Sequence, residues 1–193
     1  MKAIILTLAS IVFSLNLSAQ ASENQHLLFK GVPIDGTLNE YVAKMNLNGF
    51  IVISSESGTA VLQGDFAGYK NCEISIITLK GKDLVNRITV LLPEDTEWST
   101  LSNNYNNLKE MLTRKYGSPS QTSENWLIRS EPALSMKMFY IGTDQCNYVT
   151  SFETPSGTIK LKIDHSGYDC FVSMSYLDKI NGEIMKAKAI DDL

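Results

Sequence analysis

Twice along this chain a helical stretch with a single apolar stripe is followed by a series of short alternating runs, and that arrangement constrains the fold more than any other feature. In the first stretch Leu38, Tyr41, Val42 and Met45 recur at i, i+3, i+4 and i+7, so one side of a short helix must be buried. Thr37-Leu38-Asn39-Glu40 is a capping-box pattern, in which hydroxyl and carboxylate each satisfy a backbone N–H left free at a helix start. Gly49 stands where a C-terminal cap belongs. The second stripe is Trp98, Leu101, Tyr105, Leu108 and Leu112, between the strand-stopping Pro93-Glu94-Asp95-Thr96 and Gly117. Four Asn in that helix lower its intrinsic propensity, so packing must hold it.

Residues 26–34, 50–54, 60–66, 72–79 and 84–92 read as strands, with Lys80-Gly81-Lys82-Asp83 as a hairpin turn. After Gly117 a polar segment, 118–125, precedes Trp126-Leu127-Ile128 and the run 134–141. Residues 145–153, 158–164 and 168–177 then form a meander with turns at 155–157 and 165–167. Ile159, Leu161 and Ile163 alternate with Lys160 and Lys162, as in a strand with one wet face. On that meander Tyr148, Tyr168 and Tyr176 share a face with Cys146, Phe152, Cys170, Val172 and Met174 and are expected in the core. The sequence therefore predicts an α+β fold: a tandem helix-plus-antiparallel-sheet repeat, with the helices packed on one face of the sheet. Its degenerate halves run from about 26–92 and 84–177, followed by a short C-terminal tail. Val32-Pro33-Ile34-Asp35 parallels Leu92-Pro93-Glu94-Asp95, and Phe66-x-Gly68-x3-Cys72 parallels Tyr140-x-Gly142-x3-Cys146.

Residues 1–21 read as a secretory signal peptide, with Lys2 as the positive start, an apolar stretch over 3–17 and Ala19-Gln20-Ala21 as a small-x-small cleavage site. The stretch is shorter than the roughly 20 residues a membrane span needs. A lipoprotein needs a Cys at the cleavage point, and the first Cys is Cys72. The expectation is a mature single domain over 22–193, periplasmic or extracellular, with no stable membrane anchor. Removing 1–21 takes away Lys2 but no acid, so 17 basic residues become 16 against 21 acidic. An acidic chain without a Lys or Arg run lacks the electrostatic footprint of a nucleic-acid or anionic-membrane binder, and 44% hydrophobic with 20% charged residues excludes a disordered chain.

Three cysteines allow at most one internal disulfide. Cys146 and Cys170 fall on the first and third strands of the meander, two spacings or roughly 9.5 Å apart, beyond the limit of about 7 Å for a bridge. Cys72 pairs with Cys146 only if their strands are neighbours. Buried free thiols are the alternative.

Two histidines, His26 and His165, leave little material for a His-based triad or metal site, and G-x-S-x-G, Walker, CxxC and HExxH motifs are all absent. Asp164-His165 sits in a tight turn with no nucleophile setting beside it. Glu94-Asp95-Thr96-Glu97 suits the positive end of a helix dipole and lacks the ligand ladder of a calcium loop. No catalytic residue, metal ligand or cofactor site is assigned. A carboxylate pair for glycoside hydrolysis stays open, because that chemistry constrains distance and not sequence spacing. For partner binding the candidates are Trp126 and Arg129, since Trp with Arg is a pairing enriched at interface hot spots; the alternative is a Trp126 that starts a strand and packs over a helix.

The stretches Phe29-Lys30-Gly31-Val32-Pro33-Ile34-Asp35-Gly36-Thr37, Asp65-Phe66-Ala67-Gly68-Tyr69-Lys70-Asn71-Cys72 and Lys188-Ala189-Ile190-Asp191-Asp192-Leu193 resemble a family of small exported proteins from Bacteroidetes. The resemblance spans the mature chain and implies a compartment, with no activity. In layout alone the chain is also similar to the β-lactamase inhibitor protein and to small outer-membrane assembly lipoproteins, an analogy of architecture from which no function follows. The leading expectation is an exported, non-catalytic binding protein with an unknown protein partner; an inhibitor of a secreted hydrolase and a carboxylate-dependent hydrolase are the alternatives.

Overall fold

The computed structural model describes residues 25–191, so the signal-peptide reading of 1–21 lies outside the described residues. The fold is α+β, built on an eight-stranded antiparallel sheet. A small hairpin, β1 (Leu28–Phe29) and β2 (Val32–Pro33), opens it, followed by α1 (Leu38–Leu47), β3 (Ile51–Glu56), β4 (Thr59–Phe66), β5 (Tyr69–Thr78) and β6 (Val85–Leu91). Then come α2 (Trp98–Tyr116), β7 (Gln121–Trp126), a short helix α3 (Lys137–Gly142), β8 (Cys146–Thr154), β9 (Gly157–Ser166), β10 (Asp169–Asp178) and α4 (Lys179–Asp191). The strand order is β3-β4-β5-β6-β10-β9-β8-β7. Two four-strand meanders thus meet at a β6–β10 seam.

Local chemistry explains the elements. The capping box forms as the sequence predicts, with Glu40 N donating to Thr37 Oγ1 and Thr37 N to Glu40 Oε2, and Leu38, Tyr41 and Met45 are buried. Leu101, Tyr105, Leu108 and Leu112 are the buried face of α2, which ends at Gly117. Antiparallel register then lines up two unbroken rows on one face of the sheet. Thr150, Leu161, Met174, Val90, Ile74 and Leu62 are successive partners across six strands, as are Phe152, Ile159, Tyr176, Ile88, Ile76 and Ala60. All twelve are buried, and α1 and α2 pack over them. The other face carries the alternate residues, such as the row Ser151, Lys160, Ser175, Thr89 and Ser75. At one end of the β8–β9 turn Gly157 has φ +154°, and a Cβ there would overlap the Leu177 carbonyl oxygen, so only glycine fits.

Several expectations need correction. The strand expected over 26–34 is split into a hairpin, because Lys30 and Gly31 both adopt positive φ. Within the polar segment 118–125 lies an edge strand, β7, whose exposed and half-exposed side chains show no alternation to read. The 134–141 run is a 3-10 turn and α3, so Tyr140 and Gly142 are helical while Phe66 and Gly68 flank a β-turn, and that sequence parallel does not fall on corresponding elements. The short tail is α4, started by Asp178 accepting from Asn181 N at 2.8 Å. Tyr168, expected in the core, is 77% exposed in the β9–β10 turn. Cys72, Cys146 and Cys170 are all free; β9 separates Cys146 from Cys170, and β6, β10 and β9 separate the strands of Cys72 and Cys146. Burial pushes the Cys146 thiol up to about 12 and raises Cys72 and Cys170 as well, which makes them inert nucleophiles.

Candidate functional site

Trp126 closes β7 opposite Cys146 of β8; of the alternative reading, in which it starts a strand and packs over a helix, the packing against α2 is found while the strand ends rather than starts there. Its ring lies 5.2 Å from that of Trp98, the first residue of α2, and 6.0 Å from Tyr148 on β8. Tyr148 in turn meets Trp98 and Tyr105 edge-on, at 5.2 and 5.8 Å, in the arrangement that the positive edge and negative face of aromatic rings favour. Beneath them the Tyr105 hydroxyl hydrogen-bonds Thr150 Oγ1 at 2.6 Å, which fixes α2 against the sheet. The Trp126 indole N–H is buried and has no acceptor among the described residues.

Arg129 does not join this cluster. It is exposed on the β7–β8 connection, and no ion pair or hydrogen bond of its side chain occurs among the described residues. The cation over the indoles is Lys137, which the sequence reading did not single out. Its Nζ sits 4.8 Å from the Trp98 ring centre and 5.7 Å from that of Trp126, and it donates to Glu131 Oε1. Lys137 is only 8% exposed, and a desolvated cation over an aromatic face contributes about 2 kcal/mol. The contact pins the start of α3 to the aromatic cluster. The signal for it, one Lys heading an otherwise apolar run, is too weak to read without the fold.

The β7–β8 connection, residues 127–145, is long beside the β3–β4 turn, where Ser57 and Gly58 alone join the strands. The connection carries a 3-10 turn and α3, and connections held on a rigid scaffold are where binding residues concentrate. Here Leu127, Leu134, Met136 and Phe139 all project to solvent. Leu134 and Met138 also flank a shallow groove of about 560 Å³, whose other wall is the start of α2, Glu97 to Ser99. His165, which the sequence reading places in a tight turn, is the next-to-last residue of β9, paired with Cys170 of β10, and it steadies the connection's far end: its Nε2 meets Asp144 Oδ1 at 3.1 Å and its Nδ1 meets the Gly167 carbonyl at 2.9 Å. The Asp144 hydrogen bond raises the imidazole above its ordinary value. His165 thus serves a tie, while Asp164 is turned to Lys162 and to its neighbour's backbone N–H.

Asp95 is raised by burial, accepts from Asn104 Nδ2 at 2.9 Å, and no second carboxyl contributes to its shift. Among the described residues no group of three or more His, Cys, Asp or Glu is placed to hold a metal ion, and no helix is long and apolar enough to cross a membrane. No family model, curated protein or solved structure matches the chain.

Proposed function

We propose that this chain is an exported, non-catalytic binding module, periplasmic or extracellular, that holds a protein partner on the 127–145 connection. The observation that carries this reading is that Leu127, Leu134, Met136 and Phe139 are all exposed on one connection, whose Lys137 is held over the Trp98 and Trp126 rings and whose Leu134 shares a groove with Trp98. Apolar side chains on a rigid base at low conformational cost are what partner recognition uses, and isolated exposed residues without such a base are ordinary. Trp126 and Trp98 act as that base rather than as contact residues, and Arg129 supplies a free cation at the rim. The two helix-plus-meander halves are degenerate copies in this reading. Supporting it are the repeated order of one helix and four antiparallel strands and the Pro-x-acid step before each helix, at Pro33 and Pro93. The partner surface is then an insertion in the second copy.

The test is capture of envelope and culture-fluid proteins on the chain beginning at Ser22, beside a Leu134→Asp/Phe139→Asp variant of unchanged melting temperature. One stoichiometric protein held by the native chain and lost by the variant supports the reading; an empty capture overturns it. If the captured protein is a hydrolase whose turnover falls on binding, the module is an inhibitor.

A further inference from the structure

A second concavity, away from the 127–145 connection, lies where the β1–β2 turn, the β4–β5 turn and the last turns of α2 converge. It encloses about 390 Å³, within the range of small-ligand pockets, about 300–1,000 Å³. Leu108, Leu112 and Met174 form its buried floor, and Leu28 and Met111 stand exposed along its walls. No Asp or Glu lines it. On a chain of net charge -4, the two charged side chains that line it are both cations, Lys30 and Lys115. Lys30 lies 5.7 Å above the Phe50 ring and Lys115 lies 5.0 Å above that of Tyr116, and neither makes an ion pair among the described residues. Lys30 also lines a neighbouring concavity with Phe50 and Asp65, where the Asp65 carboxylate is bonded to Lys70. Tyr176, 6% exposed, also lines the groove, and its hydroxyl has no hydrogen-bond partner among the described residues.

An apolar floor, two unpaired cations and an unpaired phenol donor in one groove match a molecule with a hydrocarbon body and an anionic head. We propose that this groove binds a free medium-chain fatty acid, its chain against Leu108, Leu112 and Met174 and its carboxylate held by the lysines and the Tyr176 hydroxyl. Charge complementarity carries the assignment of the head: carboxylate oxygens accept charge-assisted hydrogen bonds that a neutral head cannot match. The larger crevice of about 700 Å³ between the start of α1 and the turns at 55–59 and 79–83 lacks this pairing, because Glu56 and Asp83 line it together with Lys80 and Lys82.

The test is displacement of a fluorescent undecanoate probe from the chain beginning at Ser22, by dodecanoate, dodecyl lysophosphatidate, dodecyl maltoside and dodecyltrimethylammonium below their micellar concentrations. The expected result is one saturable site that dodecanoate empties and the neutral and cationic amphiphiles leave filled. Lys30→Ala and Lys115→Ala each weaken the site about tenfold, equivalent to one charge-assisted bond, and Met111→Asp abolishes it. Tyr176→Phe separates head recognition from folding, because it keeps the ring that packs edge-on against Phe29 at 5.3 Å. Preference for lysophosphatidate over dodecanoate overturns the fatty-acid assignment, and equal displacement by all four amphiphiles overturns the charge argument. The Leu134→Asp/Phe139→Asp variant retains probe binding, so failure of the protein-partner reading leaves this test standing.

Discussion

The charge of one imidazole controls how firmly the far end of the 127–145 connection is held. His165 pairs with Asp144, also feels Asp164, and its protonated form is favoured, so its value in the folded protein lies above the 6.5 of the free side chain. A group raised on folding contributes stability that is fully present below its unfolded value and is lost as pH rises through its folded value. The tie is therefore strongest in mildly acidic solution and fades above neutrality. Asp144→Asn is the suitable probe, because Asp144 has φ +58° and asparagine tolerates that conformation. The variant is expected to melt below the native chain at about pH 5.5 and to approach it at about pH 8.5; a gap independent of pH would mean that the pair is not charged. None of this was legible in the sequence, where Asp164 stands next to His165 and Asp144 lies 21 positions away. Adjacency in a strand sends successive side chains to opposite faces.

Among the elements, the two edge strands of the sheet are unequal. β7 is Gln-Thr-Ser-Glu-Asn-Trp, tied to β8 by Asn147 Nδ2 donating to Ser123 Oγ at 2.7 Å and to α2 by the Lys109–Glu124 pair. β3 is exposed along its whole length and presents Ile51 at 69% and Ile53 at 61% exposure. It has no Lys or Pro to discourage a second chain from pairing with it, only Glu56 at its end and a register shift between Val52 and Ser54, and such an edge is prone to intermolecular pairing. Ile53→Lys is expected to lower concentration-dependent light scattering while shifting stability by no more than about 0.5 kcal/mol; unchanged scattering would show that the bulge alone protects the edge. The helices were legible because one-sided burial writes a 3.6-residue stripe into α1 and α2. β7 and α4 were not, because an edge strand with exposed and half-exposed side chains carries no stripe, and α4 is tied down by Asn181, a polar residue that a search for apolar spacing passes over. Lys137 was hidden for a related reason: its partners Trp98 and Trp126 belong to two other elements.

Across the whole molecule, one buried carboxylate joins the beginning of the described chain to its end. Asp178, fully buried, accepts from Leu27 N at 2.7 Å and Asn181 N at 2.8 Å, and lies 3.1 Å from His26 Nδ1. Asn181 Nδ2 then donates to the carbonyls of Ile34 and Val85. The first hairpin, the entry to β6, the end of β10 and the start of α4 are thereby held at one point. Asp178→Asn keeps the shape but replaces one acceptor oxygen with a donor, so it is expected to cost about 2–4 kcal/mol, read as a lower urea midpoint with unchanged slope; a loss under about 0.5 kcal/mol would mean that the junction is dispensable. The α+β class and the antiparallel meanders were readable from alternation and turns, whereas the seam was not, since β6 and β10 are separated by the whole second helix and three strands. That seam bears on the order in time in which the molecule can be completed. β10 fills the middle of the sheet yet is the last of the described strands to be synthesised. A nascent chain carrying everything before it has a bare edge on β6 and another on β9, and α2 lies over a floor with a strand missing. The sheet can become whole only after β10 has followed the seven strands that flank it in space.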